Sequence, residues 1–251
     1  SPPGPSYHRF SDVGGTTTSV LKEMISRQLR LPYERLPDVQ VANSETTQNR
    51  VRKYYDRDVD ILYPPVDISQ YAPGETEDFY FTLSRLTEAK GVEEIVRTFT
   101  TTYPEKELVV GGSGPELDSL REIAGENVNI HGWLENEKKV ELMTKAKALV
   151  LNSGNESFGI VPIEVLASGT PVISVDAGHT ACQVTDGWNG LLYAPGNLAK
   201  AIKRFERDGV EAAPKEMMEF AQQFGVDAFR EQARDLLEYA VELNNTHKPQ
   251  Q

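Results

Sequence analysis

The chain has 251 residues, 39% of them hydrophobic, and a formal net charge of −12. That length holds one large or two modest domains, and no apolar run approaches the ~20 residues of a membrane-spanning helix. The acidity argues against a nucleic-acid partner, because such proteins draw their affinity from neutralising phosphates, but it leaves room for a local cationic pocket.

In chain order, a candidate helix at 18–30 precedes a strand at 38–43 ("DVQVAN") and a helix at 45–55. Residues 18–36 set Leu21, Met24, Ile25 and Leu29 against Lys22, Arg27, Arg30 and Arg35. Such a basic amphipathic pattern can make a peripheral membrane contact on anionic lipid, although packing between domains is the favoured reading. The Asp56-Arg57-Asp58 triplet formally fits an Asp-x-Asp metal motif. It precedes a strand where a metal–diphosphate site should follow one, and it reads as a solvated turn. Pro64-Pro65 cannot continue a ladder and marks a connector and a domain boundary.

Beyond the prolines, strand-length runs at 79–84, 107–112, 127–132, 148–153 and 171–176 alternate with helical patterns at 91–102, 115–124, 135–146 and 159–168. The strands lack strict apolar/polar alternation, as expected of a parallel sheet covered on both faces. The fold class is therefore α/β, a Rossmann-like doubly wound parallel sheet whose binding crevice lies beyond the carboxyl ends of its strands. The last 45 residues read as helical, most clearly at 227–243, and the tail "NNTHKPQQ" reads as frayed. Cys182, the sole cysteine, excludes an intrachain disulfide. It fits a reducing, cytoplasmic compartment and reads as a small buried hydrophobe rather than a nucleophile.

Two stretches carry chemistry. In "ESFGIVPIE" (156–164), a helix opening near Phe158 or Gly159 puts Pro162 in its first turn, where a missing N–H costs nothing. The amides of Phe158, Gly159 and Ile160 then form an anion site at the helix end. Glu156 ahead of the helix and Glu164 one turn inside it could read hydroxyls on either side of that anion, as a sugar nucleotide would require. The alternative is that Glu156 caps the helix and Glu164 is solvated. In "SRLTEAKG" (84–91), Arg85 and Lys90 sit at a strand's carboxyl end and suit a diphosphate leaving group; a surface ion pair serves equally well for that segment alone.

With "VVGGSGPELDSL", "NIHGWLENEKKVELMTKAKALVLNSGNESFGIVPIEVLASGTPVIS" and "VTDGWNGLL" following in register, residues 38–205 resemble the retaining GT-B glycosyltransferases of family 4 (glycosyl transferases group 1), mainly their C-terminal donor-binding domain. The resemblance implies a GT-B fold with an incomplete N-terminal domain. It divides the chain into a remnant of the acceptor-side domain and linker (1–65), a donor-binding domain (66–205) and C-terminal helices packing back toward the N-terminal part (206–251). It implies that Arg85, Lys90 and Glu156 act on the donor diphosphate and transferred sugar. Ser157, Phe158, Gly159 and Ile160 would hold sugar and phosphate, and Glu164 the ribose. Gly112 and Gly114 match the family's glycine turn, although a plain turn fits them too. His131, Gly132 and Trp133 lie where the base is held, with packing favoured over stacking for Trp133.

The implied activity is hexosyl transfer from a nucleotide-diphosphate sugar to a glycan or lipid-linked acceptor, with retention, no metal and no cofactor. Only about 65 residues precede the linker. The expectation is therefore a chain that supplies mainly the donor site, needs a missing N-terminal domain or a partner chain, and by itself transfers sugar poorly or not at all. Cys182 stands where the family commonly has Glu. The competing readings are a non-catalytic nucleotide-sugar-binding subunit and a GT-B nucleotide-sugar epimerase.

Overall fold

The computed structural model of the chain describes residues 39–246. The candidate helix at 18–30, the amphipathic segment 18–36 and residues 247–251 of the tail lie outside them; Asn244–Thr246 are helical. Contacts gather Val41–Tyr239 into one compact unit. Both β-sheets lie in the Val41–Tyr239 unit.

The opening piece of that unit is small. β1 (Val41–Ala42) and β2 (Asp60–Ile61) pair in parallel, joined by helix α1 (Glu45–Tyr55). Ser44 starts α1 by accepting from the Thr47 amide at 3.1 Å, and Asp56 ends it in the left-handed conformation (φ 52°) with its N–H on the Arg52 carbonyl. Asp58 pairs with Arg52 at 2.7 Å. The Asp-x-Asp triplet is thus a helix cap and a surface ion pair.

The six-stranded sheet comprises β3 (Phe79–Leu83), β4 (Glu107–Gly111), β5 (Val128–Gly132), β6 (Ala148–Leu151), β7 (Val172–Val175) and β8 (Gly190–Tyr193). The strand order is β5-β4-β3-β6-β7-β8, and every pairing is parallel. The helices are α2 (Val92–Thr102), α3 (Leu117–Ile123), α4 (Asn136–Lys145), α5 (Ile160–Ala167), α6 (Thr180–Gln183), α7 (Leu198–Asp208), α8 (Pro214–Ala221) and α9 (Val226–Thr246). Alternate residues of each strand enter opposite cores. Tyr80, Val110 and Val150 meet Ile95 and Phe99 of α2, Leu120 of α3 and Ile202 of α7. Phe81, Val109 and Leu149 meet Met143 of α4, Ile163 and Leu166 of α5 and Met217 of α8. Burial on both faces explains the unbroken apolar strands, and the doubly wound expectation holds. β8 was not among the expected strands; "GLLY" offers too short an apolar run to stand out.

Because β3 is flanked by β4 on one side and β6 on the other, the chain turns away in opposite directions there. Such a switch point opens a crevice beyond the strand ends. At the amino ends, Glu206 of α7 gathers Tyr80, Lys106 and Lys147: the Tyr80 hydroxyl donates to it, and the ammonium groups lie at 3.1 and 3.0 Å. Burial alone would raise this carboxyl, but the hydrogen bonds from Tyr80, Lys147 and Lys106 hold it down at about 2. The depressed value makes its stabilisation fully present above the ordinary value of 4.5 and lost as pH falls from there toward 2. Glu206→Gln should cost about 1–3 kcal/mol at neutral pH and flatten the acid limb of a urea-unfolding series.

Candidate functional site

The crevice is bordered by the loop after β3 (84–91) and the loop after β6 (152–159), whose strands are paired through Tyr80–Ala148 and Phe81–Leu149. Asn152 ties the loops together. Its Nδ2 donates to the Gly91 carbonyl at 3.2 Å and to Glu94 Oε2 at 2.8 Å, while its Oδ1 accepts from the Tyr193 hydroxyl at 3.0 Å. Just before Gly91, a 3-10 turn (Glu88–Lys90) presents Lys90, whose ammonium donates to Glu156 Oε1. Two residues chosen from separate motifs therefore meet, each about a quarter exposed (26% and 24%). Arg85 is exposed and forms no ion pair among the described residues.

Helix α5 begins at Ile160, after Gly159 at φ 82°, a value that side-chain-bearing residues rarely adopt. Pro162 is its third residue and buried. The amide orientation follows from Gln183. This buried side chain donates through Nε2 to the carbonyls of both Phe158 (2.9 Å) and Gly159 (3.1 Å). In a trans peptide the N–H points opposite to the C=O, so the Gly159 and Ile160 amides face away from Gln183. Neither finds an intrahelical acceptor at that end. The Phe158 ring is buried among Tyr63, His179 and Phe224, with His179 stacked on it at 5.4 Å. The side chain thus anchors the loop while its backbone turns outward.

Glu164 is neither exposed nor free. Its Oε1 accepts from Lys139 Nζ at 2.8 Å and from the Tyr71 hydroxyl at 2.8 Å, and its side chain is 12% exposed. Burial and then the bond to Glu164 push the Tyr71 phenol well above its ordinary range.

The loops after β4 and β5 complete the rim. A Cβ at Gly112 would lie 1.8 Å from the Ser84 carbonyl oxygen, and one at Gly114 would lie 2.1 Å from that of Leu86. The two glycines let the β4 loop pack backbone to backbone on the Arg85 loop, joined by Leu86 N–H to the Ser113 carbonyl (3.0 Å). The Gly132 carbonyl accepts from the Gly112 amide at 2.7 Å. His131 is exposed. Trp133 is 74% exposed, which overturns the packing role favoured for it; it directly follows a strand whose last residue, Gly132, turns at φ 77°.

Cys182 also departs from expectation, for it is exposed. On the short helix α6, Thr180 and Gln183 are the buried pair and Cys182 faces outward. Ser44, the cap of α1, also donates through its hydroxyl to the Ser157 carbonyl. Arg50 Nη2 donates to Asn155 at 2.8 Å, so α1 borders the same loop. His179 is 1% exposed, and its amide donates to the Glu156 carbonyl at 3.1 Å. Burial lowers its imidazole, with Glu45 opposing. No motif marks Gln183, Asn152, Lys139 or Tyr71. A cavity of about 420 Å³ runs along α2 from the edge of these loops, lined by Glu88, Gly91, Glu93, Glu94, Arg97, Glu116 and Asn152 among others. Its four carboxylates oppose an anionic ligand.

The family described as "Glycosyl transferases group 1" matches residues 66–224. A D-inositol 3-phosphate glycosyltransferase of Nocardia farcinica is 29% identical over 209 residues, covering 71% of this chain and 46% of that protein. The chain thus spans less than half of this relative. Among solved structures, a sucrose-phosphate synthase from Thermosynechococcus elongatus superposes with a TM-score of 0.76 at 21% identity, covering 92% of this chain and 65% of that one. The Anabaena protein HepE in complex with UDP and glucose gives 0.71 at 20% identity, covering 89% and 68%. At these identities the two structures establish the fold, GT-B and Rossmann-like.

Proposed function

The chain belongs to the glycosyl transferases group 1 family, and on that premise we propose that it binds a nucleotide-diphosphate sugar and serves in its transfer, with retention, to a glycan or lipid-linked acceptor. The observation that carries this reading is the meeting of Lys90 and Glu156 across the switch point, beside a helix end whose Gly159 and Ile160 amides face outward. Arg85, Lys90 and those amides stabilise the diphosphate as its bond to the anomeric carbon breaks, without a metal. Preorganised donors of this kind are usually the largest catalytic contribution. Glu156, released from Lys90 by the arriving phosphate, accepts from hydroxyls of the transferred sugar, with Ser157 and Phe158 holding the loop around it. Glu164 reads the ribose. Gly112 and Gly114 shape the rim, and His131, Gly132 and the exposed Trp133 flank the base. Residues 66–205 belong to the donor domain and 1–65 to the acceptor side.

The chain spans less than half of the Nocardia relative, and its part in the reaction is the donor side: alone it binds nucleotide and transfers sugar poorly or not at all. We place it in the cytoplasm; among the described residues no helix is long and apolar enough to cross a membrane. Calorimetric titration with UDP and GDP tests the reading. Saturable one-to-one binding of either is expected, and binding of neither would refute it, as sugar transfer by the purified chain alone would refute the division of labour.

A further inference from the structure

We infer that Lys139 and Tyr71 are positioning residues that clamp one oxygen of the Glu164 carboxylate and so fix its other oxygen toward the ribose hydroxyls of the donor; this rests on the assignment of Glu164 as the ribose acid. The clamp is assembled from three separate segments. Tyr71, 4% exposed, comes from the stretch between Pro64-Pro65 and β3. Lys139 comes from the first turns of α4, and Glu164 from the second turn of α5. Both helices start at the carboxyl side of the sheet, where the crevice lies.

Both donors act on the same atom. The Tyr71 hydroxyl and the Lys139 ammonium each donate to Oε1 at 2.8 Å, and Oε2 has no donor among the described residues. The ammonium also lies 5.6 Å from the centre of the Tyr71 ring, which holds its position a second time. A glutamate's last torsion is broad and only two-fold restricted. Here rotation about it would break two charge-assisted bonds at once. The carboxylate therefore presents one acceptor oxygen at a fixed position, where an unrestrained glutamate would sweep its carboxylate plane through a broad range of orientations. With side chains 20% and 12% exposed, the Lys139–Glu164 pair is sheltered from the screening that empties most surface ion pairs of effect.

Fixing an acceptor matters only to a ligand that offers it a hydroxyl, and that separates positioning from support of the fold. The test titrates the wild-type chain, Lys139→Met, Tyr71→Phe, Lys139→Arg and Glu164→Ala with UDP, GDP and their 2′-deoxy counterparts. The wild type should prefer the ribo form about tenfold, the scale of one hydrogen bond to a charged group. Lys139→Met and Tyr71→Phe should bring that preference close to parity through loss of ribonucleotide affinity alone. Lys139→Arg, which keeps a cation on Oε1, should retain it. If both variants keep the preference while Glu164→Ala abolishes it, the clamp is wrong and the ribose assignment stands. Equal losses for ribo and deoxy forms would show a structural role and also overturn the clamp. A preference that survives Glu164→Ala, or no binding by the wild type, removes the ribose assignment and the clamp together.

Discussion

Gly114→Ala is expected to lower the unfolding free energy by about 3 kcal/mol, at the upper end of what overpacking usually costs, and to abolish nucleotide binding. The added methyl group would stand 2.1 Å from the Leu86 carbonyl oxygen and under 3 Å from that residue's carbonyl carbon and amide nitrogen. All of these atoms are backbone, so no rotamer change relieves the clash. The loop after β4 must lift off the loop after β3, which breaks the bonds from Leu86 N–H to Ser113 and from Glu116 N–H to Leu86. Because Arg85 precedes Leu86 directly, the displacement reaches the phosphate-binding loop. Gly154→Ala is the control. Its methyl group would meet only Ala177 at 3.4 Å, and the change should stay within about 0.5 kcal/mol. Urea unfolding of the two variants checks the contrast; equal stabilities would mean that the two loops are not packed as described.

The amino-acid sequence reveals most of this architecture because its strands are buried on both faces. "ALVL" and "VISV" are unbroken apolar runs bounded by turns, and both are strands within two residues of the expected limits. Helix Glu45–Tyr55 falls on its expected bounds, started by Ser44 and ended at Asp56. β8 escapes notice because a four-residue edge strand carries too few apolar positions to signal itself.

The candidate site divides along the same line. Lys90 and Glu156 are legible as members of local motifs, and the fold brings them together. The residues that orient them are not. Gln183 and Asn152 act through carbonyls and side chains of segments remote in sequence, and an amide in a short polar stretch gives no hint of such a partner. Lys139 sits in "ENEKKVEL", where the surrounding charges suggest an ordinary solvated helix face; only the approach of α4 to α5 makes it a partner of Glu164. Trp133 and Cys182 fail in the opposite sense. Both are residue types that usually pack inside, and here a strand end and a four-residue helix turn them outward.

The central claim is that a pyrophosphate sits between the Gly159–Ile160 amides and the cations of the β3 loop. Replacing Arg85 and Lys90 together with methionine removes both charges and keeps the aliphatic stems. Two charge-assisted contacts are lost, so the dissociation constant for UDP or GDP should rise about a hundredfold or more. Loss of Lys90 also leaves Glu156 facing the phosphates without its ion-pair partner. One titration followed by calorimetry and by backbone amide resonances reads both halves of the claim. In the wild type, the Gly159 and Ile160 amides should move with saturation, and in the double variant they should stay still at the same nucleotide concentration. Unchanged affinity in that variant, or shifts gathered instead along the acidic cavity beside α2, would contradict it.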